Sequence, residues 1–579
     1  MDSYKSYRFW LESDYFDEET KKELKDIEND RKEIEERFYK DLKFGTGGLR
    51  GIIGTGTNRI NKYTVRKASQ GLANYISKKG QDYKNRGIVI AYDSRHKSYE
   101  FALESAKVFA GNGIKAYLFD ELRPTPELSF AVRFLNAAAG VVITASHNPK
   151  EYNGYKVYGE DGAQLSIEGS DAVYEEISKI DDITRVNLMD KETALQNGLI
   201  KIIGSEIDDE YIGRLKTLAI NSDLIEKVSD TFKIVYTPLH GTGNKPVQRI
   251  LKEIGLKNVI VVKEQALPDP DFSTVKYPNP EDKEAFSLAI DLARKQDVDM
   301  IIGTDPDCDR VGVIVRNADD EYVALTGNQI GCLLMEYILS QKKKRGELPD
   351  NGFVVTTIVS TNLAEAIARE YNVQFVEVLT GFKFIGEKIK EMDEFGDKKF
   401  LFGFEESYGY LAGTFARDKD GVVASMLIAE MAAYYRSRGM SLYEGLQELF
   451  AKYGFYIEGI TSFTAEGKEG LEKISYTMRQ LRESKPSSFN GEEVYAVRDY
   501  NAGKRLVIAT GEEEQINLPK SDVLYYEMKD GSWFCVRPSG TEPKIKIYYG
   551  VYGNDRQKAD EKLEKLKEAV LGYINKLLN

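Results

Sequence analysis

The chain has 579 residues, with 80 Lys plus Arg against 93 Asp plus Glu and a formal charge of −13 at pH 7. That length is on the order of four domains at about 150 residues each, and its net negative field attracts neither nucleic acid nor an anionic membrane, so neither is expected as the main partner. Cys308, Cys332 and Cys535 form no CxxC pair, which argues against a disulfide framework or a structural zinc site; with no signal-type apolar core and no apolar run of about 18 residues, the sequence reads as a soluble cytoplasmic protein.

In chain order, the first 43 residues are charged and carry Leu24, Ile27, Ile34 and Phe38 at helical spacing, which predicts a helical lead-in. Short β-rich runs follow, among them "RGIVIAYD", "AGVVITA", "FKIVYTPL", "NVIVV", "VDMIIGT" and "GFVVTTIV". They alternate with helical stretches such as "YEFALESAKVFAGNG" and "EAFSLAIDLARKQD". The alternation predicts α/β units with mainly parallel pairing, and the pattern restarts near residue 230 and again near 350. From about 458 the register changes: "YIEGITSFTAEGKEGLEKISYTMRQL", two more alternating segments and the helix "DRQKADEKLEKLKEAVLGYINKLL" predict a smaller α+β domain. The expected units are 1–205, with the lead-in, then 206–325, 326–455 and 456–579.

The polar turns after the apolar runs carry the chemistry, because strand-end loops are where open α/β sheets hold ligands. All three histidines, His96, His147 and His240, lie in such turns. "VVITASHNPKEYNGYKVYG" places Ser146 beside His147. A serine is a weak nucleophile without a base or a waiting electrophile. The residues two away are Thr144 and Asn148, so the turn is no G-x-S-x-G elbow and acyl transfer is disfavoured. Asn148, Asn153 and Gly154 would shape the turn, and Lys156 would neutralise charge or move a proton.

"MIIGTDPDCDRVGVIV" sets Asp305, Asp307 and Asp309 at alternate positions after an apolar strand. Carboxylates this close repel one another unless a hard cation such as Mg²⁺ joins them; the plain alternative is an acidic surface turn. Arg310 and Arg316 stand where an EF-hand needs Gly and Glu, which excludes that motif. Asp307-Cys308-Asp309-Arg310-Val311 also resembles the nucleophile loop of haloacid-dehalogenase phosphotransferases. "CVRPSGTEPKIKIYYG" offers Arg537, Ser539, Gly540 and Thr541, the composition of a phosphate cradle or of an ordinary turn. "FGTGGLRGIIGTG" carries Arg50 in a loop that is neither a P-loop nor a dinucleotide fingerprint. "FLFGFEESYGY" offers Glu405, Glu406 and Ser407, suited to sugar hydroxyls or to a solvated turn. A serine beside an expected Mg²⁺ site and phosphate cradles points to phosphoryl transfer, in which most of the work is charge neutralisation and alignment.

Taken together and in this order, T-A-S-H-N-P, D-P-D-C-D-R, G-F-E-E-S-Y-G and R-P-S-G-T-E-P resemble the α-D-phosphohexomutase family, in its phosphoglucomutase branch, from about residue 40 to the C-terminus. The resemblance implies three successive mixed-sheet α/β domains and a smaller C-terminal α+β domain around a central cleft. It implies that Ser146 carries a phosphoryl group and that Mg²⁺ is held by that phosphoserine with Asp305, Asp307 and Asp309. Glu405 and Ser407 would hold sugar hydroxyls, and Arg537, Ser539, Gly540 and Thr541 the non-reacting phosphate. Arg50, Arg310, His147, Lys156 and Lys383 would assist at the reacting end or in proton transfer; the family's loop near Lys383 varies between branches, and this sequence has Phe382 there.

The implied reaction exchanges glucose 1-phosphate and glucose 6-phosphate through glucose 1,6-bisphosphate, which turns end for end in the cleft while the fourth domain excludes water. Hexose phosphates would be the partners, and no oligomeric state follows. Phosphomannomutase and phosphopentomutase activities belong to the same family. Outside it stand a phosphatase with Asp307 as nucleophile and a non-catalytic sugar-phosphate-binding protein.

Overall fold

A computed structural model of the chain describes residues 2–45, 47–464, 467–538 and 544–578, without the side chains of 467–469 and 471. The lead-in is three short helices, Ser3–Glu12, Glu18–Asp26 and Arg31–Phe38, each started by an aspartate that accepts backbone N–H bonds. Leu24, Ile34 and Phe38 join Tyr7, Trp10 and Phe16 in a small core closed by Tyr63 of helix Lys62–Lys78.

Three mixed α/β sheets follow, and they repeat one topology. In the first, strands Ile88–Tyr92, Ala116–Phe119 and Ala139–Ile143 are parallel and Tyr152–Gly159 runs antiparallel beside the third. The spatial order is fourth, third, first, second, with Gly48–Ile52 and Ile200–Ile203 added at the edges. The second sheet has the same order in Lys233–Thr237, Asn258–Val261, Met300–Thr304 and Val311–Arg316, and Tyr322–Ala324 extends it. The third uses Gly352–Thr357, Gln374–Val378, Lys399–Glu405 and Gly409–Ala412. Every residue of Ile88–Tyr92, Ala139–Ile143, Met300–Thr304 and Gly352–Thr357 is buried, which is why the sequence shows these strands as continuous apolar runs rather than as alternation.

This topology creates three equivalent turns, 144–151, 305–310 and 406–408, each leaving the carboxyl end of a parallel strand and returning antiparallel. The first and third strands are sheet neighbours, so the loop leaving the first strand lies against each of these turns. Residues of all three sheets share one apolar core, from Val89 and Val142 through Ile234 and Ile302 to Val354 and Phe404.

The fourth sheet is antiparallel throughout, with Phe455–Thr464 and Trp533–Pro538 flanking Lys544–Gly553, and helix Arg556–Leu578 packs on it. It has a separate core built from Ile474, Phe534, Ile547 and Leu566 among others. Among the described residues, no helix is long and apolar enough to cross a membrane.

Candidate active site

Ser146 sits in the first turn with a left-handed backbone, φ 54°. Its N–H donates to Thr144 Oγ1 at 2.8 Å, and Thr144 Oγ1 donates to Asp93 Oδ2 at 2.6 Å. Ser146 is 3 % exposed; its hydroxyl donates to Asp305 Oδ2 at 2.8 Å and lies 3.2 Å from His147 Nδ1. Burial, with Arg310 and Arg50 nearby, holds the His147 imidazole well below its ordinary value, so the ring is neutral at pH 7. Arg50 reaches the same turn through Asn148 Oδ1 at 3.3 Å.

The second turn brings the aspartates together. One oxygen from each of Asp305, Asp307 and Asp309 lies within 4.8 Å of the other two. Asp305 Oδ1 accepts the N–H groups of Asp309 and Arg310, both at 3.1 Å. Asp307 Oδ2 accepts from Thr125 Oγ1 at 2.9 Å and Lys156 Nζ at 2.7 Å. Asp309 Oδ2 faces Lys419 Nζ at 3.1 Å and Lys156 Nζ at 3.7 Å. Asp307 Oδ1 and Asp309 Oδ1 are buried without a hydrogen-bond partner among the described residues. Each of these two carboxylates therefore has one oxygen tied outward and one left over, which fits a divalent cation with oxygen ligands.

The charges are unequal within the triad. Burial and its two neighbours push Asp305 well above the carboxylate range. Burial acts on Asp307 too, but Lys156 and hydrogen bonds to the ionised form hold it below that range. Lys156 is desolvated, yet Asp307 and Asp309 keep it protonated.

Segment 417–421 binds these parts to one another. The Arg417 N–H donates to Ser129 Oγ at 2.8 Å, Asp418 Oδ2 accepts from Tyr158 at 2.8 Å, and Asp420 Oδ1 accepts from Tyr211 at 2.9 Å. Gly421 N–H donates to Cys308 O at 3.0 Å, and a Cβ on Gly421 would stand 2.5 Å from that oxygen, so only glycine permits the approach. Composition offered one signal for this segment, a charged run abutting the apolar helix Gly421–Ser437.

In the third turn, burial and Glu406 push Glu405 up to about 7 against the opposing charges of Lys419 and Arg310. Ser407 Oγ donates to Glu406 Oε1 at 3.2 Å, and Thr357 Oγ1 donates to Glu406 Oε2 at 3.1 Å. Arg310 pairs with Glu281 and lies 3.8 Å from Asp309 Oδ1. Lys383 is buried too, but its charged neighbours are Glu387, Glu168 and Asp171 rather than the aspartate triad.

On the fourth sheet Arg537 is paired in register with Lys546, and both lie in the field of Glu406. The cradle residues Ser539, Gly540 and Thr541 lie outside the described residues.

Comparison with known proteins matches this arrangement segment by segment. Models of the phosphoglucomutase/phosphomannomutase alpha/beta/alpha domains I, II and III match residues 41–184, 209–318 and 326–453, and that of the C-terminal domain matches 491–568. The chain belongs to the phosphoglucomutase/phosphomannomutase family. A Staphylococcus epidermidis phosphoglucomutase is 41% identical over 528 residues, 91% of this chain and 94% of that one. A Staphylococcus haemolyticus phosphoglucomutase is 40% identical over 514 residues, 89% and 91% of the two chains. The fold is that of the Paramecium phosphoglucomutase pp63/parafusin in its open form, with a TM-score of 0.69 at 17% identity over 93% of this chain and 95% of that one. The structure of a Thermus thermophilus protein named as a phosphomannomutase gives a TM-score of 0.66 at 21% identity over 93% of this chain and 99% of that one.

Within this family architecture the structure gathers Ser146, His147, Lys156, the three aspartates, Arg310 and Glu405 in one buried cluster drawn from three sheets. The sequence reading did not single out Thr125, Asp93, Arg95, Asp418, Lys419, Glu281 or Lys546, which reach this cluster or the turns around it from other loops, from the start of helix Thr125–Phe134 or, for Lys546, from strand Lys544–Gly553.

Proposed function

We propose that the protein is a phosphoglucomutase that interconverts glucose 1-phosphate and glucose 6-phosphate through a phosphoserine at Ser146 and glucose 1,6-bisphosphate. The observation that carries this reading is the 2.8 Å approach of Ser146 Oγ, on the first sheet, to Asp305 Oδ2, on the second. A phosphoryl acceptor and an acidic triad have no structural need of each other.

In the forward half-reaction a sugar hydroxyl oxygen bonds to the phosphorus, the P–Oγ bond breaks, the hydroxyl loses its proton and Ser146 Oγ gains one. The second half reverses these steps with the other phosphate of the bisphosphate. The neutral His147 ring, 3.2 Å from Ser146 Oγ, is placed to hold the proton exchanged there. Lys156 and Arg310 offset the charge of the moving group. Asp305, Asp307 and Asp309 would hold Mg²⁺, which when bound supplies charge neutralisation at the phosphoryl oxygens. Glu405 and Ser407 suit sugar hydroxyls, while Arg537, with Ser539, Gly540 and Thr541, would grip the phosphate that does not react. Lys383 belongs to the proposal through the family motif alone. The unit limits at 205/206, 325/326 and 455/456 belong to the same proposal; the first cuts the start of helix Ser205–Lys216 and the third the start of strand Phe455–Thr464.

The test is labelling. Protein incubated with phosphorus-labelled glucose 1,6-bisphosphate should take up acid-stable phosphate, lost in Ser146→Ala. Acid-labile acyl phosphate on Asp307 would favour the phosphatase, and no uptake a binding protein. Steady-state rates on glucose, mannose, ribose and glucosamine 1-phosphates then fix the sugar.

A further inference from the structure

Arg95 leaves the first strand of the first sheet and is 3 % exposed, yet among the described residues its guanidinium makes only one ion pair, Nε to Asp93 Oδ2 at 3.3 Å. Its other donors go to backbone. They reach the carbonyl oxygens of Ser146 and Asn148 at 2.5 Å, Pro149 at 2.7 Å and Tyr152 at 3.1 Å. The Phe272 ring, from the second unit, covers the guanidinium with its centroid 5.0 Å away. Asp93 in turn accepts the Arg95 N–H at 2.9 Å, the Ser98 hydroxyl at 2.7 Å and the Thr144 hydroxyl at 2.6 Å, and Thr144 Oγ1 accepts the Ser146 N–H.

One buried cation thus gathers three carbonyls of the serine turn and that of Tyr152, where the next strand begins, and its counter-ion fixes the amide of the serine itself through Thr144. Burying a guanidinium is costly unless its donors are used; here both terminal nitrogens are used on a turn rather than on a second carboxylate, while Nε keeps the Asp93 ion pair without a hydrogen bond among the described residues. A trans peptide points its N–H opposite its C=O. Drawing the Ser146 and Pro149 carbonyls toward Arg95 therefore turns the N–H groups of His147 and Lys150 to the other side of the turn. The left-handed backbone of Ser146, which a residue with a Cβ adopts at a cost, persists because its carbonyl and its amide are both held.

We propose that Arg95, oriented by Asp93, is a positioning residue for phosphoryl transfer at Ser146: its guanidinium locks the serine turn so that Oγ faces the aspartate triad. The proposal rests on the mutase reading. Its effect belongs to the chemical step, since the guanidinium is buried and its terminal donors are spent on backbone carbonyls.

The experiment compares Arg95→Lys, Arg95→Met and Thr144→Val with the parent. It follows the rate of acid-stable labelling by glucose 1,6-bisphosphate, kcat and KM for glucose 1-phosphate, and amide exchange of residues 146–152. Lysine keeps the charge but not the fork of donors. Arg95→Lys should lower the labelling rate and kcat about ten- to a hundredfold, with KM within about threefold. Exchange should quicken in 146–152 and not in strands Ile88–Tyr92 or Ala139–Ile143. Arg95→Met should do the same more severely, and Thr144→Val, which cuts the Asp93 relay without creating a buried charge, more mildly. Parental labelling rates in Arg95→Lys, or exchange that quickens evenly over the whole first sheet, would overturn the proposal. If the parent takes up no phosphate on Ser146, the mutase reading fails, and exchange in 146–152 still reports whether Arg95 holds the turn.

Discussion

The serine turn and the aspartate turn occupy the same place in successive copies of one sheet topology, and they are organised with opposite polarity. In the first, backbone carbonyls converge on a cation, Arg95. In the second, backbone N–H groups converge on an acceptor, the side-chain oxygen Asp305 Oδ1. The loop from the neighbouring first strand braces both: Arg95 and Asp93 in one, and in the other Thr242, whose N–H and hydroxyl both donate to Pro306 O. A repeated scaffold therefore yields either a rigid hydroxyl or a cluster of carboxylates, according to whether a donor or an acceptor is placed inside the turn. The C-terminal sheet forms a second contrast. The first three units share one core and interlock at the triad, whereas the fourth meets the third through a smaller cluster of Ile358, Val359 and Leu379 against Tyr500, Tyr525 and Trp533.

The largest effects should come from the triad, where Asp305 and Asp307 can be set against each other. Changing a group that merely orients a metal's ligands typically costs about 10–100-fold, so replacing a direct ligand should cost more. Asp307→Asn and Asp305→Asn should each weaken Mg²⁺ binding by more than about a hundredfold in titration calorimetry, and turnover with it. In chelator-treated protein the two should part. Asp307 is buried, but Lys156 holds it below the carboxylate range, so its charge stabilises the fold at pH 7 and that contribution is lost as pH falls. Asp305 is pushed up, so its ionisation opposes folding as pH rises. Asp307→Asn should lower the thermal midpoint at pH 7, and Asp305→Asn should leave it equal or higher. Identical midpoints would mean that Lys156 and Thr125 do not distinguish the two carboxylates.

Arg537 tests the second contrast with a smaller effect. Losing one charge-assisted contact costs about 1.5–3 kcal/mol, roughly ten- to a hundredfold in kcat/KM. Arg537→Ala should show that loss with glucose 1-phosphate while Ser146 still accepts label, more slowly. Arg537→Lys should recover part of it. A change within about twofold would mean that the fourth sheet contributes no phosphate grip through this residue.

Much of this arrangement was legible in the sequence because the functional turns follow strands buried on both faces, whose apolar runs end abruptly in polar residues. Ser146, the aspartates and Glu405 are visible for that reason. Their braces were not. Arg95 stands in "AYDSRHKS", where the histidine drew attention, and nothing in that string says that four carbonyls from residues 146–152 converge on it. Lys419 and Thr125 reach the triad across more than one hundred residues of chain, and such approaches depend on how whole units pack. The lead-in showed its apolar spacing but not its two breaks, which fall at 13–17 and 27–30, each ending in the aspartate that caps the next helix. The threefold strand order was equally hidden, since the alternation of strand and helix shows a restart but not which strands are neighbours.

The smallest effect expected is at Glu458, where strand Phe455–Thr464 meets the third unit. It faces Thr361 and Asn328 of the third unit, and burial pushes its carboxyl up to about 7. Between the ordinary glutamate value near 4.5 and about 7 the folded protein holds a proton that the unfolded chain has released, so stability falls as pH rises through that window. A shift of this size corresponds to about 3 kcal/mol, and partial exposure of the side chain reduces it to about 1–2 kcal/mol. Glu458→Gln keeps the shape and a hydrogen-bonding amide without the charge. It should raise the urea midpoint at pH 8 and leave it unchanged at pH 5, where the native carboxyl is already protonated. The chain has two tryptophans, so in a Trp10→Phe background the emission of Trp533, which lies in the cluster between the third and fourth units, reports this junction alone. An equal gain at both pH values would show that Glu458 acts there through packing, and no gain at pH 8 would show that its proton plays no part in holding the fourth sheet to the third.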